Sequence, residues 1–214
     1  MPRWKILAYG AIAASICLFA LIAANIAAGD PLAVLDVRVT AWLGAHRTPA
    51  LTLLMLAVTH AHAPVAICAY ASIMTVVLYR RAQRHWLLAL ALAVPVGLAI
   101  NVLLKHLFRR ARPVPDEPLM TLATYSFPSG HTAGTALFYG VLAAYIVSRT
   151  LSTRVRAAAV LGWLCAVGLV GFSRVYLGVH YLSDVVAAAA WSCAWLAVCL
   201  LAANRVQLRG SSQR

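Results

Sequence analysis

Stretches of roughly 20 apolar residues, most of them closed by arginine, repeat along this 214-residue chain and leave it few ways to fold. Backbone immersed in hydrocarbon has no water to bond, so its N–H and C=O groups must be satisfied within a helix or a closed barrel. The stretches are too long for barrel strands of about ten residues. They occupy residues 6–28, 51–79, 86–104, 132–147, 157–172 and 181–203. The reading is an all-α polytopic membrane helix bundle with six transmembrane helices, one membrane-embedded domain over residues 1–214. Composition excludes the alternative of a water-soluble globule. Apolar residues make up 63% and charged residues 11%, against about half and about a quarter in soluble domains.

The first stretch follows Arg3, Trp4 and Lys5, a start that a secretory signal also has. Its 23 apolar residues exceed the roughly 7–15 of a signal core, so it is read as a retained span. Between residues 30 and 49, Leu32, Leu35, Val39 and Trp42 recur at helical spacing among Asp36, Arg38, His46 and Arg47. This predicts a short helix lying in the membrane interface. The 51–79 stretch is too long for one simple span, and Pro64 divides it into a partly immersed segment and a helix ending at Tyr79. Cys17, Cys68, Cys165, Cys193 and Cys199 all fall in apolar runs without metal-ligand spacing. They read as small buried hydrophobes, neither a disulfide framework nor a zinc site. Trp163, Trp191 and Trp195 lie inside spans and read as packing residues, whereas Trp4, Trp42 and Trp86 fit the interfaces.

Eighteen Lys and Arg face five Asp and Glu, a formal charge of +13. In a soluble protein that excess would suggest nucleic acid. Here it predicts loops against anionic lipid and an anion to be bound, with no nucleic-acid partner. Six spans put both termini on one side, where eleven of the cations gather, and the positive-inside rule makes that side cytoplasmic. The opposite side holds Arg38, Arg47, Lys105, Arg109, Arg110, Arg112 and Arg174, together with all five acids, Asp30, Asp36, Asp116, Glu117 and Asp184. Four cations in the one outer loop between residues 105 and 131 run against the rule and call for a functional cause.

Three segments fall on that outer side. Lys105 and Arg112 stand seven apart, followed by Pro113; on a continuing helix both would project to one face. Pro128-Ser129-Gly130-His131 opens the fourth span, where free N–H groups, a hydroxyl and the positive helix end make an anion site. Ser173-Arg174 precedes His180, and Asp184 follows four residues later, a neighbour on one helical face if the sixth span has begun. Lys105, Arg112 and Arg174 suit three phosphoryl oxygens, with Ser129 and the Gly130 N–H donating to the same group. His180 is then the candidate nucleophile, with Asp184 holding its other ring proton. His131 is the candidate general acid and base. No metal or other cofactor is expected, because the cations already occupy that electrostatic role.

These segments resemble the signature of the type-2 phosphatidic-acid phosphatase superfamily, the lipid phosphate phosphatases and related vanadium haloperoxidases. Its pattern is Lys, six residues, Arg-Pro; Pro-Ser-Gly-His; and Ser-Arg, five residues, His, three residues, Asp. Every position is present, at 105–113, 128–131 and 173–184. The resemblance implies His180 as nucleophile, Asp184 as its orienting partner, His131 as acid and base, and Lys105, Arg112, Ser129, Gly130 and Arg174 as phosphate ligands. It implies a metal-independent phosphatase working through a phosphohistidine at the periplasmic face of a bacterial inner membrane. Its substrate would be a lipid phosphate held in the bilayer, with undecaprenyl pyrophosphate first and phosphatidic acid, phosphatidylglycerol phosphate or lipid A phosphates as alternatives.

Other classes make different demands. A transporter of phosphate or anionic lipid predicts inverted repeats and broken helices in both halves, and has no need of Asp184 four residues after His180. A haloperoxidase relative is usually water-soluble. His60 and His62 form a pair without a third ligand and read as interfacial histidines. His46, His85 and His106 read as headgroup-level residues, and Arg109 and Arg110 as headgroup attractors or a helix-end cap. Asp116 and Glu117 belong to a polar loop or a lid. The oligomeric state is not legible in the sequence.

Overall fold

A computed structural model of the chain describes residues 3–28, 31–114 and 124–211. Asp30, Asp116, Glu117 and Arg214 lie outside the described residues, as do the side chains of Arg3, Trp4, Lys5 and Arg209. Among the described residues the regular elements are all helices: α1 (Arg3–Ala28), α2 (Pro31–Ala45), α3 (Pro49–Ala61), α4 (Pro64–Arg80), α5 (Arg84–Ala91), a π-helical turn (Leu92–Val96), α6 (Gly97–Phe108), α7 (Gly130–Arg149), α8 (Thr153–Tyr176) and α9 (Leu182–Ser211). Among the described residues, five helices are long and apolar enough to cross a membrane, with α5, the π turn and α6 forming one of them. The pair α3 and α4 makes a sixth if taken as one span bent by 48°. Pro64 sits at the break as the first residue of α4, where its missing N–H leaves nothing unsatisfied. The six expected stretches are thus all helical.

Helix α7 is the hub, packing on α4, α6, α8 and α9, while α1 lies along α9. Small residues let α7 sit so deep: Ala133, Gly134, Ala136, Gly140 and Ala143 are buried along it. Close backbone approach of this kind drives helix association where no hydrophobic effect separates helix from lipid. The π turn contains Pro95, and the Leu92 carbonyl within it accepts the Trp195 indole N–H from α9 at 3.0 Å. Trp163 likewise donates to the Ala136 carbonyl at 3.0 Å, and Trp191 is buried. The tryptophans inside the spans therefore pack the bundle, as expected.

One expectation needs correction. Of the cysteines only Cys199 is buried; Cys193 is half-buried and Cys17, Cys68 and Cys165 are exposed. Apolar surroundings in a membrane helix need not mean protein interior, because the lipid-facing surface is apolar too. Helix α2 is present where a short helix was expected, with Val34, Leu35, Val37 and Trp42 exposed and Asp36 and Thr40 buried. Leu32 and Leu43 pack inward on the same helix.

Candidate active site

Local chain reversals bring the three sequence segments together. Helix α8 ends in a turn in which Gly178 takes φ 71°, left-handed backbone that a glycine adopts without strain. The reversal folds Val179 and His180 back so that both N–H groups share the Arg174 carbonyl, at 3.2 and 3.3 Å. Helix α9 starts only at Leu182, so His180 precedes it. The pairing of His180 with Asp184 therefore arises from a turn meeting a first helical turn, not from one helical face. Asp184 Oδ2 accepts the Tyr181 N–H at 2.9 Å, capping that first turn, and lies 3.3 Å from His180 Nδ1. Ser126 donates its hydroxyl to the same oxygen.

The expected geometry of Lys105 and Arg112 is also corrected. Helix α6 stops at Phe108, and Arg109 adopts left-handed φ 46° and ψ 33° at its end. No continuing helix aligns the two cations. They converge instead on one backbone carbonyl, that of Tyr125, which Lys105 Nζ reaches at 2.6 Å and Arg112 Nη2 at 3.2 Å. Lys105 also donates to Ser126 O at 3.2 Å. Arg112 is saturated: it donates to Thr124 O and Oγ1, Tyr125 O, Val179 O and His180 Nε2.

That last contact, at 3.2 Å, fixes the imidazole tautomer. A guanidinium only donates, so Nε2 must present its lone pair and the ring proton sits on Nδ1, facing Asp184. His180 is 1% exposed. Burial pushes its pKa down to about 3 against the opposing pull of Asp184, so the ring is neutral at pH 7.

Arg174 differs from Arg112. It is fully buried and donates Nη1 to Thr59 Oγ1 at 2.5 Å, while Nε and Nη2 have no hydrogen-bond partner among the described residues. A buried guanidinium with two unused donor nitrogens is costly unless an anion completes it. It acts electrostatically on both His180 and His131.

Ser129 is the N-cap of α7, and its N–H donates to the Asp184 main-chain carbonyl at 3.1 Å, tying the second segment to the third. Its oxygen accepts the Thr132 hydroxyl at 3.0 Å, which leaves its own hydrogen to donate. A Cβ on Gly130 would lie 3.4 Å from Asn101 Nδ2 and 4.0 Å from Lys105 Cε, so the start of α7 runs beside the lysine. His131 follows in the first turn, within electrostatic reach of Arg174, His180, Arg112 and Lys105. All eight expected site residues thus share one locality.

The sequence reading missed four participants. Arg110, read as a headgroup attractor or cap, bridges Asp184 at 2.6 Å and Asp36 at 2.7 Å. Asp36 had drawn no role, although an acid in a largely apolar helix is a signal in itself. Ser126 and Thr59 gave no signal, being neutral residues outside any motif. Elsewhere, His60 and His62 each turn Nδ1 to a carbonyl one turn back, and His62 Nε2 lies 3.3 Å from Tyr139 Oη. Among the described residues, no three His, Cys, Asp or Glu side chains gather as metal ligands do.

Comparison with known proteins joins this geometry to a lineage. Phosphatidylglycerophosphatase B of Bacillus subtilis is 41% identical over 88 residues, 40% of this chain and 42% of that protein. Decaprenylphosphoryl-5-phosphoribose phosphatase of Mycobacterium tuberculosis is 40% identical over 110 residues, 49% and 54% of the two chains. The matches span about half the length of these curated relatives or less. The crystal structure of a transmembrane PAP2-type phosphatidylglycerolphosphate phosphatase from Bacillus subtilis superposes with a TM-score of 0.78 at 25% identity, over 92% of this chain and 96% of that one. LpxE of Aquifex aeolicus shares the fold with a TM-score of 0.58 at 22% identity, over 80% and 95% of the chains. The PAP2 superfamily profile matches residues 84–207, from the start of α5 to near the end of α9. With more than half its length so matched, this chain belongs to the PAP2 superfamily.

Proposed function

We propose that the chain is an integral-membrane lipid phosphatase that works without a metal, through a phosphohistidine on His180. The observation that carries this reading is the buried Arg174 guanidinium with two unused donor nitrogens, beside an imidazole whose Nε2 lone pair is set by Asp184 and Arg112. An oxyanion placed among Arg174, Lys105, Ser129 and the first N–H groups of α7 brings its phosphorus to Nε2. As the anion draws Arg112 Nη1 away from Nε2, the freed lone pair forms the N–P bond and the bond to the lipid oxygen breaks, that oxygen taking a proton from His131. A water molecule deprotonated by His131 then attacks the phosphohistidine, releasing inorganic phosphate and restoring neutral His180. Phosphoryl transfer depends mainly on placement and charge compensation, and this set of cations supplies both.

The exposed apolar flanks of α3, α4 and α6 around this site favour a substrate anchored in the bilayer. Undecaprenyl pyrophosphate is the first choice, and the relatives' names support testing phosphatidylglycerol phosphate and a polyprenyl-linked sugar phosphate beside it. The test is phosphate release by purified protein from a panel of these lipids and phosphatidic acid, in detergent with chelator present. Turnover surviving chelation, lost about a thousandfold in His180→Ala and about 10²–10⁴-fold in His131→Ala, is expected. Turnover abolished by chelator, or a fully active His180→Ala, overturns the reading.

A further inference from the structure

Arg110 falls within the first signature segment but at none of its fixed positions, and it bridges two carboxylates. Its Nη1 donates to Asp184 Oδ1 at 2.6 Å and Ser183 Oγ at 2.7 Å, and its Nη2 donates to Asp36 Oδ2 at 2.7 Å. The Tyr181 ring covers it, with Cζ 4.2 Å from the centroid. Asp36 is in turn fixed by the Ser183 N–H at 2.9 Å and by the Ser183 hydroxyl, and it is 1% exposed. One guanidinium therefore lies between two buried carboxylates from different helices, α2 and α9, and the three groups together carry one negative charge.

That sum matters for His180. In the proposed reaction the imidazole becomes cationic as the N–P bond forms, and Asp184 Oδ2 is the group that meets the charge at Nδ1. A guanidinium 2.6 Å from the other oxygen of the same carboxylate would cancel most of that stabilisation if Asp184 were its sole counter-ion. Asp36 draws on the same cation and prevents it. Arg110 meanwhile fixes the carboxylate plane, so that Oδ2 faces the ring.

We propose that Arg110 and Asp36 are positioning residues of the phosphoryl-transfer centre: Arg110 orients the Asp184 carboxylate, and Asp36 offsets the charge of Arg110 so that Asp184 remains an effective anion toward His180. This rests on the hydrolase reading above and adds to it a role for α2.

The experiment compares full-length wild type with Asp36→Asn, Arg110→Gln and the double variant Asp36→Asn/Arg110→Gln, with kcat and KM measured on the best lipid phosphate of the panel. Asp36→Asn, which leaves Arg110 to Asp184 alone, is expected to lower kcat about tenfold or more with KM nearly unchanged. Removing the arginine charge as well should restore several-fold of that loss in the double variant. If Asp36 merely docks α2 on α9, the double variant will be no better than Asp36→Asn, and that result overturns the proposal. An unchanged kcat in Asp36→Asn overturns it as well. Should Asp36→Asn fail to fold, Arg110→Lys keeps the charge but cannot bridge both carboxylates, and an unaltered kcat there would be equally fatal. Phosphate release absent from wild type on every lipid would bring down the hydrolase reading and this inference together, whereas an active wild type confines failure to the inference.

Discussion

At the scale of single residues, the site is built from groups in uncommon electrical states. His180 is held neutral by burial with a pKa near 3, although Asp184 pulls the other way. An unfolded histidine has a pKa near 6.5, so between pH 6.5 and pH 3 the unfolded chain takes up a proton that the folded chain refuses. Stability linked to this residue is therefore intact above pH 6.5 and is lost as pH falls toward 3. Thermal unfolding of detergent-solubilised wild type and His180→Gln at pH 7.5 and pH 4.5 checks this. Wild type should lose more stability on acidification than the variant, which has nothing to titrate there; equal losses would show that burial does not hold the ring neutral. Legibility at this scale was uneven. The eight signature residues were readable because their types and spacings recur as a pattern. Thr59, Ser126 and Asp36 were not, because their roles depend on helix contacts that join residues far apart in sequence.

At the scale of elements, apolar length made every span visible, but the inward faces were harder to see. In lipid the outer face is as apolar as the inner, so hydrophobic periodicity does not mark the interior. For this reason α2 buries Asp36 while Leu35 next to it faces outward, and three cysteines lie exposed. Likewise, helical spacing put Lys105 and Arg112 on one face, yet the chain leaves the helix at Arg109 and reaches the same carbonyl by another path. What does mark inward faces is small residues at crossings. A Cβ on Gly171 of α8 would collide with Val185 Cγ1 of α9, a β-branched side chain with little rotameric freedom in a helix, and would lie 3.9 Å from Thr132 Oγ1 of α7. Gly162, on the same helix, has open space around its Cβ position. Gly171→Ala should thus destabilise the protein by about 1–3 kcal/mol, the usual penalty of overpacking. Gly162→Ala should be neutral or stabilising by less than about 1 kcal/mol. Thermal unfolding in detergent distinguishes them, and equal behaviour of the two would deny that the α8–α9 crossing is sterically limited.

At the scale of the whole molecule, the folded chain removes an anomaly of its sequence. Counted along the chain, seven cations on one side of the bundle weaken the charge asymmetry that orients membrane proteins. In the structure four of them leave the surface account: Arg174 is fully buried, Lys105 is 8% exposed, Arg110 is paired with Asp36 and Asp184, and Arg112 is committed to backbone carbonyls and His180. At the opposite end Arg80, Arg81, Arg84, Arg149, Arg154, Arg156 and Arg205 cluster at the ends of α4, α5, α7, α8 and α9. The asymmetry that matters for orientation is therefore steeper than the sequence count, and the positive-inside rule predicts the arginine-rich end in the cytoplasm and the candidate site outside. Two exposed positions test this in a cysteine-free background: Val114, 95% exposed beside the site, and Leu151, 92% exposed between α7 and α8. In intact cells a membrane-impermeant thiol reagent should label Val114→Cys and spare Leu151→Cys until the membrane is opened. The reverse pattern would place the site in the cytoplasm, where the same chemistry would have to act on lipids presented by the inner leaflet.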